Sequence, residues 1–490
     1  MTHSRLVRTV LFAAVLGLMS SSTAQAQLGG SRKQTKIKKM GKHKRMTKEQ
    51  AKRLTKAETI TAADVRKSQA RLRKLAGKKE RLIRQAIRLM ENTLKLADED
   101  DAKYPDYLFR VAEHYNAMRM NQWKTGMSMH ESIFKAEDKG DKALARRLKK
   151  RQKLYFARSE WWLRKSLKAY IRITNNAKFK NYARMDEVIF TVGDIAKSLA
   201  EQAGKRKDMA KKRAYQQVML VQFSRLTKEF PRSRFIPDAL LAKAEYFFHN
   251  RQMVEAIQIY QRVARFKNTP LAPYAEYKIG WCYLNLKQHR KALAQFVQVA
   301  KGTRGGKNLI RAARKDVVRA YTHIGLPNKA YNFFLNVAKG RPQVAKMMYI
   351  LLGTMYYAQG KNVESIKVFK DAWRVRWPRD KDRCNWVTTI VDATINIGVK
   401  GAQVAAVRWL GQVTTSLTKQ LGPKAMQVKQ CRSSSENTMK MLATQWHAEG
   451  LKTKNMATLK LTRNLYETYL KTYPKSPVFY LMSFQYADLL

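Results

Sequence analysis

The residues of this chain whose types and spacing could carry chemistry are aromatic and cationic side chains, which suit binding better than catalysis. Two tyrosines, a tryptophan and a leucine recur at helical spacing, and later stretches add two cations, a threonine and another tyrosine. The eight candidates for a peptide groove are Tyr274, Tyr277, Trp281, Leu284, Lys315, Arg319, Thr354 and Tyr357. Aromatic anchors beside cations suit an extended or helical peptide that carries acidic residues. The alternative is that several of these aromatic side chains pack against neighbouring helices.

The histidines, cysteines and carboxylates form none of the common catalytic or metal-binding motifs. The eight histidines make no H-E-x-x-H motif and no Cys/His pair with zinc spacing, and the chain has no phosphate-binding loop, dinucleotide fingerprint or G-x-S-x-G. The acidic run 98–101 lacks the glycine and distal glutamate of a calcium loop, so we interpret it as a solvated linker. Cys282 is expected to be a small buried apolar residue and not a nucleophile. We predict no enzyme activity, no cofactor and no metal.

Two of the three cysteines are candidates for a disulfide. Cys384 and Cys431 both lie in an irregular stretch, and an exported protein enters an oxidising compartment where disulfides form. The alternative is two thiols that are unpaired or paired between molecules.

A helical repeat recurs about every 36 residues and would position the candidate groove. Each copy places a small residue in its first helix, and a small residue followed four positions later by an aromatic one in its second helix. In the first two copies Ala244, Ala256 and Tyr260 are matched by Gly280, Ala292 and Phe296; later copies carry Tyr321, Ala330 and Phe334, then Leu352, Gly353, Tyr356, Ser365, Phe369 and Ala372. This is the tetratricopeptide pattern, in which small residues let two antiparallel helices pack closely. We therefore predict an all-α, tetratricopeptide-type α-solenoid, a right-handed superhelix of antiparallel helix pairs.

The N-terminal residues have the three parts of a signal peptide. Arg5 and Arg8 precede an apolar run over 10–18, and an A-x-A site ends at Ala26. We expect cleavage after Ala26. No cysteine follows the site, so no lipid anchor is expected there, and no later run is long and apolar enough to span a membrane. The predicted product is periplasmic.

The remainder divides into five segments by composition and repeat pattern. A basic disordered arm over 27–46 precedes a divergent helical region over 47–230, in which 142–174 is expected to form one long helix that packs Trp161 and Trp162. The clearest repeats occupy 231–378. An irregular helical region over 379–461 is expected to be broken into short pieces at Gly398, Gly401, Gly411 and Gly422.

The last segment, 462–490, is interpreted as the start of a further repeat. Residues 223–233 align with 466–476, and the same offset places the chain end inside a first helix. We therefore expect a C-terminally incomplete sequence, and an enzyme domain beyond it stays open as a third hypothesis.

The formal net charge of +62 favours anionic partners. Lipopolysaccharide phosphates, phospholipid headgroups and acidic envelope proteins fit both this charge and export, whereas nucleic acid fits export poorly. The plainer interpretation is a solvated basic surface.

Three segments resemble the large exported tetratricopeptide proteins of bacterial envelopes. They are YPDYLFRVAEHY at 104–115, FPRSRFIPDALLAKAEYFF at 230–248 and YAEYKIGWCYLNLKQHRKALAQF at 274–296. Proteins of this kind include the outer-membrane assembly lipoprotein, the Tol–Pal cell-division coordinator and periplasmic gliding-motility components. This chain lacks the lipobox cysteine of the assembly lipoprotein. The resemblance implies a non-catalytic periplasmic scaffold for protein–protein interactions in an envelope complex. The alternative from the charge is a binding module for anionic envelope polymers or lipid headgroups.

Overall fold

A computed structural model describes the backbone of residues 62–490 and the side chains from residue 77 onward. The chain divides at residue 77 into a first unit, residues 1–77, and a second unit, residues 78–490. The predicted signal peptide and basic arm lie outside the described residues. The part of the first unit that is described is the beginning of helix α1.

Every regular element over 62–490 is helical. The α-helices are α1 (Ala62–Leu96), α2 (Tyr104–Ser128), α3 (His130–Asp138), α4 (Lys142–Asn175), α5 (Met185–Lys205), α6 (Met209–Glu229), α7 (Ile236–His249), α8 (Met253–Ala264), α9 (Leu271–Asn285), α10 (His289–Lys301), α11 (Gly306–Ile324), α12 (Ala330–Val337), α13 (Pro342–Ala358), α14 (Asn362–Asp371), α15 (Arg383–Ile397), α16 (Lys400–Leu421), α17 (Met426–Thr453), α18 (Met456–Thr472) and α19 (Phe479–Leu489). Short 3₁₀ turns at Ala177–Phe179 and Pro327–Lys329 and a π turn at Ala372–Arg376 adjoin them.

In the second unit, helices pack in the order of the chain. From α5 onward each helix contacts the next, with α11 and α12 meeting through the rings of Tyr321 and Phe334, whose centres lie 5.1 Å apart. In the central repeats the first helices α7, α9, α11 and α13 also contact one another in sequence. Repeats that contact only the neighbouring repeats are the defining property of a solenoid. The second unit is therefore an all-α, tetratricopeptide-type α-solenoid, as predicted.

The repeat pattern is a packing pattern between the two helices of a pair. Gly280 of α9 faces the ring of Phe296 of α10, and a Cβ atom at Gly280 would lie 2.6 Å from that ring. Gly353 of α13 faces Phe369 of α14 in the same way, at 2.7 Å. Both rings are buried. The aromatic ring thus fills the space that a side chain at the glycine position would need.

The turns between paired helices use residues with positive φ. Lys287, between α9 and α10, has φ of 57°, and Arg251, between α7 and α8, has φ of 61°. The equivalent turn before α14 uses Gly360 at 72°. An L-residue in this left-handed region is less favourable than glycine by about 1 kcal/mol, so these turns are held in place by the packing of the helices they join.

The N-terminal pair of the second unit contains an insertion. Helix α2 packs on α4, with the short helix α3 between them in the chain, and the Ser166 hydroxyl of α4 donates to the Ala112 carbonyl of α2 at 2.9 Å. Helix α4 is the single long helix that was predicted. Of its two tryptophans, Trp162 is buried and Trp161 is 52% exposed, so the expectation that both pack inside was wrong for Trp161.

The region after the fourth clear repeat is more regular than its glycines suggested. Gly398 and Gly422 have positive φ and end α15 and α16. Gly401 and Gly411, however, lie inside α16, which runs without a break for 22 residues. The expectation of breaks at these two glycines was wrong, because packing of α16 against α15 and α17 outweighs the weak helix propensity of one glycine.

Candidate functional site

The candidate groove residues lie on the first helices of the central repeats. Four of them are on α9, two on α11 and two on α13, and these three helices contact one another in sequence. We call the surface formed by α7, α9, α11 and α13 the first-helix face. Six of the eight residues are partly buried, while Lys315 and Thr354 are exposed.

On α9, Tyr274 is tied to the preceding first helix. Its hydroxyl donates to Glu245 of α7 at 3.3 Å, and the same carboxylate accepts from Tyr260 at 2.6 Å and pairs with Lys278 at 3.2 Å. Burial, followed by the charge on Glu245, raises the pKa of Tyr274, so this phenol stays protonated and donates. Tyr274 is therefore part of the contact between α7 and α9.

Tyr277 and Trp281 join α9 to α11 through one carboxylate. The Tyr277 hydroxyl donates to Asp316 at 2.6 Å, and the guanidinium of Arg319 lies 3.7 Å from Asp316 and 5.0 Å from the centre of the Trp281 ring. Both aromatic rings also pack on Phe296. Burial raises the pKa of the Asp316 carboxyl, and the hydrogen bond from Tyr277 and the charge on Arg319 oppose that shift.

The remaining candidates are not brought into this cluster. Leu284 packs against the core. The exposed Thr354 hydroxyl donates to the Ile350 carbonyl of its own helix, and Tyr357 is partly exposed on the same helix. Lys315 is exposed beside a cavity between α11 and α13. The structure thus unites Tyr277, Trp281 and Arg319, and leaves the two candidates on α13 apart.

Two residues that organise this surface, Glu245 and Asp316, were not identified from the sequence. Isolated carboxylates on helices are too common to single out, although the chain has only 36 acidic residues against 98 basic ones. Each of the two accepts a hydrogen bond from a tyrosine on another helix. Glu245 and Asp316 are therefore engaged within the first-helix face, whose four helices carry eight Lys and Arg residues against four Asp and Glu residues.

Chemistry that needs a reactive thiol or a metal finds no support in the part of the chain that the structure describes. Cys282 is fully buried, and burial raises the pKa of its thiol to about 12, which keeps it protonated. No group of three or more His, Cys, Asp or Glu residues within the described range could hold a metal ion.

The other two cysteines are joined. Cys384 of α15 and Cys431 of α17 form a disulfide, with their Cα atoms 5.9 Å apart, inside the common range for such bonds. It links two helices that are separated in the chain by the whole of α16, and so cross-links the region after the fourth clear repeat.

Every helix over the described residues is too short or too polar to cross a membrane.

Comparison with known proteins gives only distant structural likenesses. No protein-family model matches the chain, and no curated protein sequence matches it. The TPR domain of P58(IPK) is 12% identical, with 73% of this chain and 98% of that chain covered and a TM-score of 0.20. A circular tandem repeat protein with novel repeat topology is 12% identical (88% and 91% covered, TM-score 0.16), and the APC/C hetero-tetramer Cut9–Hcn1 is 10% identical (84% and 93% covered, TM-score 0.16). With TM-scores this low, the assignment of the fold rests on the packing described above.

Proposed function

We propose that this chain is a non-catalytic scaffold that binds a partner protein of the bacterial cell envelope through its first-helix face. The observation that carries this proposal is the charge of that face. Its four helices carry eight Lys and Arg residues against four Asp and Glu residues, and Glu245 and Asp316 are hydrogen-bonded within the face. The exposed Lys315 therefore belongs to a net positive surface beside partly exposed aromatic rings. Such a surface suits a partner segment with acidic and apolar residues.

Site-specific cross-linking tests where the partner binds. A photoactivatable phenylalanine analogue at Thr354, which is exposed on the first-helix face, should give a discrete cross-linked protein in envelope extract. The same analogue at Arg290, which is exposed on the second helix α10, is the matched control. Equal cross-linking from both positions would place the partner elsewhere.

Substitution tests which side chains contribute. Replacing Arg319 with Gln and Tyr357 with Ala should abolish partner capture, and it should leave the thermal unfolding temperature nearly unchanged because both side chains are only partly buried. The matched control replaces Arg290 with Gln and the exposed Tyr480 with Ala. Trp281 is a poor choice for truncation because its ring also packs on Phe296.

Export to the periplasm is part of the proposal. It is supported by the charged, apolar and A-x-A segments of residues 1–26. N-terminal sequencing of the protein from a periplasmic fraction should give Gln27 as the first residue. Recovery of intact Met1 in the cytoplasmic fraction would reject export.

The net charge of +62 favours a second function, binding to anionic envelope polymers or lipid headgroups through the basic arm over 27–46. Salt separates the two functions. Capture by apolar and aromatic contacts should persist in added salt, while attachment to polyanions should weaken steeply. Deletion of 27–46 should lower binding to anionic vesicles and spare capture of the protein partner.

A further inference from the structure

A cavity of about 860 Å³ lies between α11, α13 and the loops that precede them. Its volume is within the range of roughly 300–1,000 Å³ that is usual for small-molecule sites. The cavity lies between two helices of the first-helix face, but neither Tyr277 nor Trp281 lines it. We call it the cationic cavity.

Six cationic side chains line this cavity, and none of the lining residues is acidic. The six are Lys307, Arg311, Arg314, Lys315, Lys339 and Arg341. None of them pairs with a carboxylate anywhere in the described residues. This distinguishes the cavity from the neighbouring cluster, where Arg319 lies near Asp316. The positive charge here lacks an internal counterion.

Arg314 shows that the charge is also partly shielded from water. Its Nε atom is buried and has no hydrogen-bond partner in the described structure. Burial, together with the charge of Arg341, lowers the pKa of Arg314 from its usual value. A buried donor without a partner is unfavourable by about 1–3 kcal/mol. An anion between Arg314 and Arg341 would relieve the repulsion between the two charges.

The rest of the cavity is apolar. Beside Ala300, Gly302 and the polar Thr303, its large apolar side chains are Ile310, Val344, Met347, Met348 and Leu351, contributed by α11 and α13. Met347 is 66% exposed, which is unusual for so large an apolar side chain. Methionine is flexible and adapts its shape to apolar ligands. One wall therefore suits an apolar chain, and the other an anion.

We propose that the cationic cavity binds a single anionic lipid molecule, with its phosphate between Arg314 and Arg341 and its acyl chain along the methionines. Guanidinium groups bind phosphate oxygens in pairs of parallel hydrogen bonds, which makes arginine well suited to this head group. This function is additional to the protein scaffold and does not depend on it.

A bound peptide accounts for the cavity less well. An extended peptide would bury its own N–H groups and would need acceptors for them. Apart from the cations, which only donate, Thr303 is the one polar side chain among the lining residues. An acyl chain has no hydrogen-bonding groups, so the apolar wall can cover it without leaving a donor or acceptor unpaired.

Binding of oleoyl lysophosphatidic acid, below its micelle concentration, tests the proposal. The full chain should bind one molecule, as measured by isothermal titration calorimetry. Lysophosphatidylcholine with the same chain should bind at least about tenfold more weakly, because its head group carries no net charge, and inorganic phosphate at least about a hundredfold more weakly, because it has no chain.

Two variants separate the head-group and acyl contacts. Arg314→Gln with Arg341→Gln should weaken lipid binding by about tenfold to a hundredfold, and Met347→Gln by severalfold. Arg290→Gln with Lys329→Gln removes the same charge from exposed positions outside the cavity and should leave binding unchanged. The first variant removes two repelling charges, so its circular dichroism melting temperature should not fall. If it does fall, Lys307→Gln with Lys315→Gln, both exposed, provides the same test.

Three results would overturn the proposal. Unchanged lipid affinity in both cavity variants would place the lipid elsewhere. Equal affinity for inorganic phosphate and for the lipid would make the cavity a simple anion site. An acidic amphipathic peptide that binds more tightly than the lipid and displaces it would make the cavity a peptide site.

Discussion

A single methyl group at position 280 tests whether the small–aromatic pairs hold the repeats together. In Gly280→Ala the new Cβ would lie 2.6 Å from Cε1, 2.7 Å from Cδ1 and 3.1 Å from Cζ of Phe296. Carbon atoms normally pack at about 3.5–4.0 Å, so the ring must move by about 1 Å. The Phe296 ring is fully buried and is confined by the rings of Tyr277 and Trp281. The change therefore strains the pair of helices.

The magnitude follows from two opposed effects. Overpacking of a core destabilises by about 1–3 kcal/mol, while alanine favours a helix over glycine by about 1 kcal/mol. We expect a net loss of about 1–2 kcal/mol in the free energy of unfolding. Gly411→Ala in α16 is the matched control, because its Cβ would meet only Met439 Cε at 3.8 Å. That variant should gain up to about 1 kcal/mol.

Amide hydrogen exchange read by mass spectrometry is the suitable assay, since the stability of a solenoid is close to a sum of local terms. Exchange should accelerate over residues 271–301 in Gly280→Ala and slow over 400–421 in the control. Phe296→Leu should lower the free energy of unfolding less in the Gly280→Ala background than in the original protein, because the smaller side chain makes room for the methyl group. If both alanine variants stabilise their helices alike, the packing explanation of the repeat is wrong.

Three further outcomes are expected. Replacing both bridged cysteines with serine should destabilise the protein by about 4 kcal/mol in urea unfolding, from the entropy of a loop whose ends are 47 residues apart; a loss below about 1 kcal/mol would contradict this. Burial, then the charge of the stacked ring of His289, lowers the pKa of His323. The stabilising contribution of neutral His323 should therefore be complete above its unfolded pKa of about 6.5 and be lost as the pH falls through the lower folded pKa. The melting temperature should drop less between neutral and mildly acidic pH in His323→Gln than in the original protein. Lys287→Gly should stabilise by up to about 1 kcal/mol, because φ at this position is 57°, whereas Lys291→Gly inside α10 should destabilise by a similar amount.

The repeat pattern made most of the fold predictable, because its residues do the same physical work in each copy. Ala256 and Tyr260 recur as Ala292 and Phe296, and all four are buried. Where the expectations were wrong, the cause was packing between helices. Gly411 sits inside a helix because neighbouring helices hold it there.

The candidate site was predictable in part. Helical spacing places Tyr274, Tyr277 and Trp281 on one helix, but it carries no information on the helix opposite. The partners Glu245 and Asp316 lie 29 and 39 residues from Tyr274 and Tyr277, respectively. These pairings depend on how one first helix packs on the next, which short-range periodicity does not encode.

The sequence by itself determined the helix pairs, their order and the basic character of the chain, because these follow from local spacing and composition. Only the tertiary structure decided which charges are compensated. It brings Asp316 to Tyr277 and Arg319, and it places Arg314 beside Arg341 with no carboxylate in the cavity they line. Charge compensation depends on distances of a few ångströms between residues that are remote in the chain, and only the packing of the helices sets those distances.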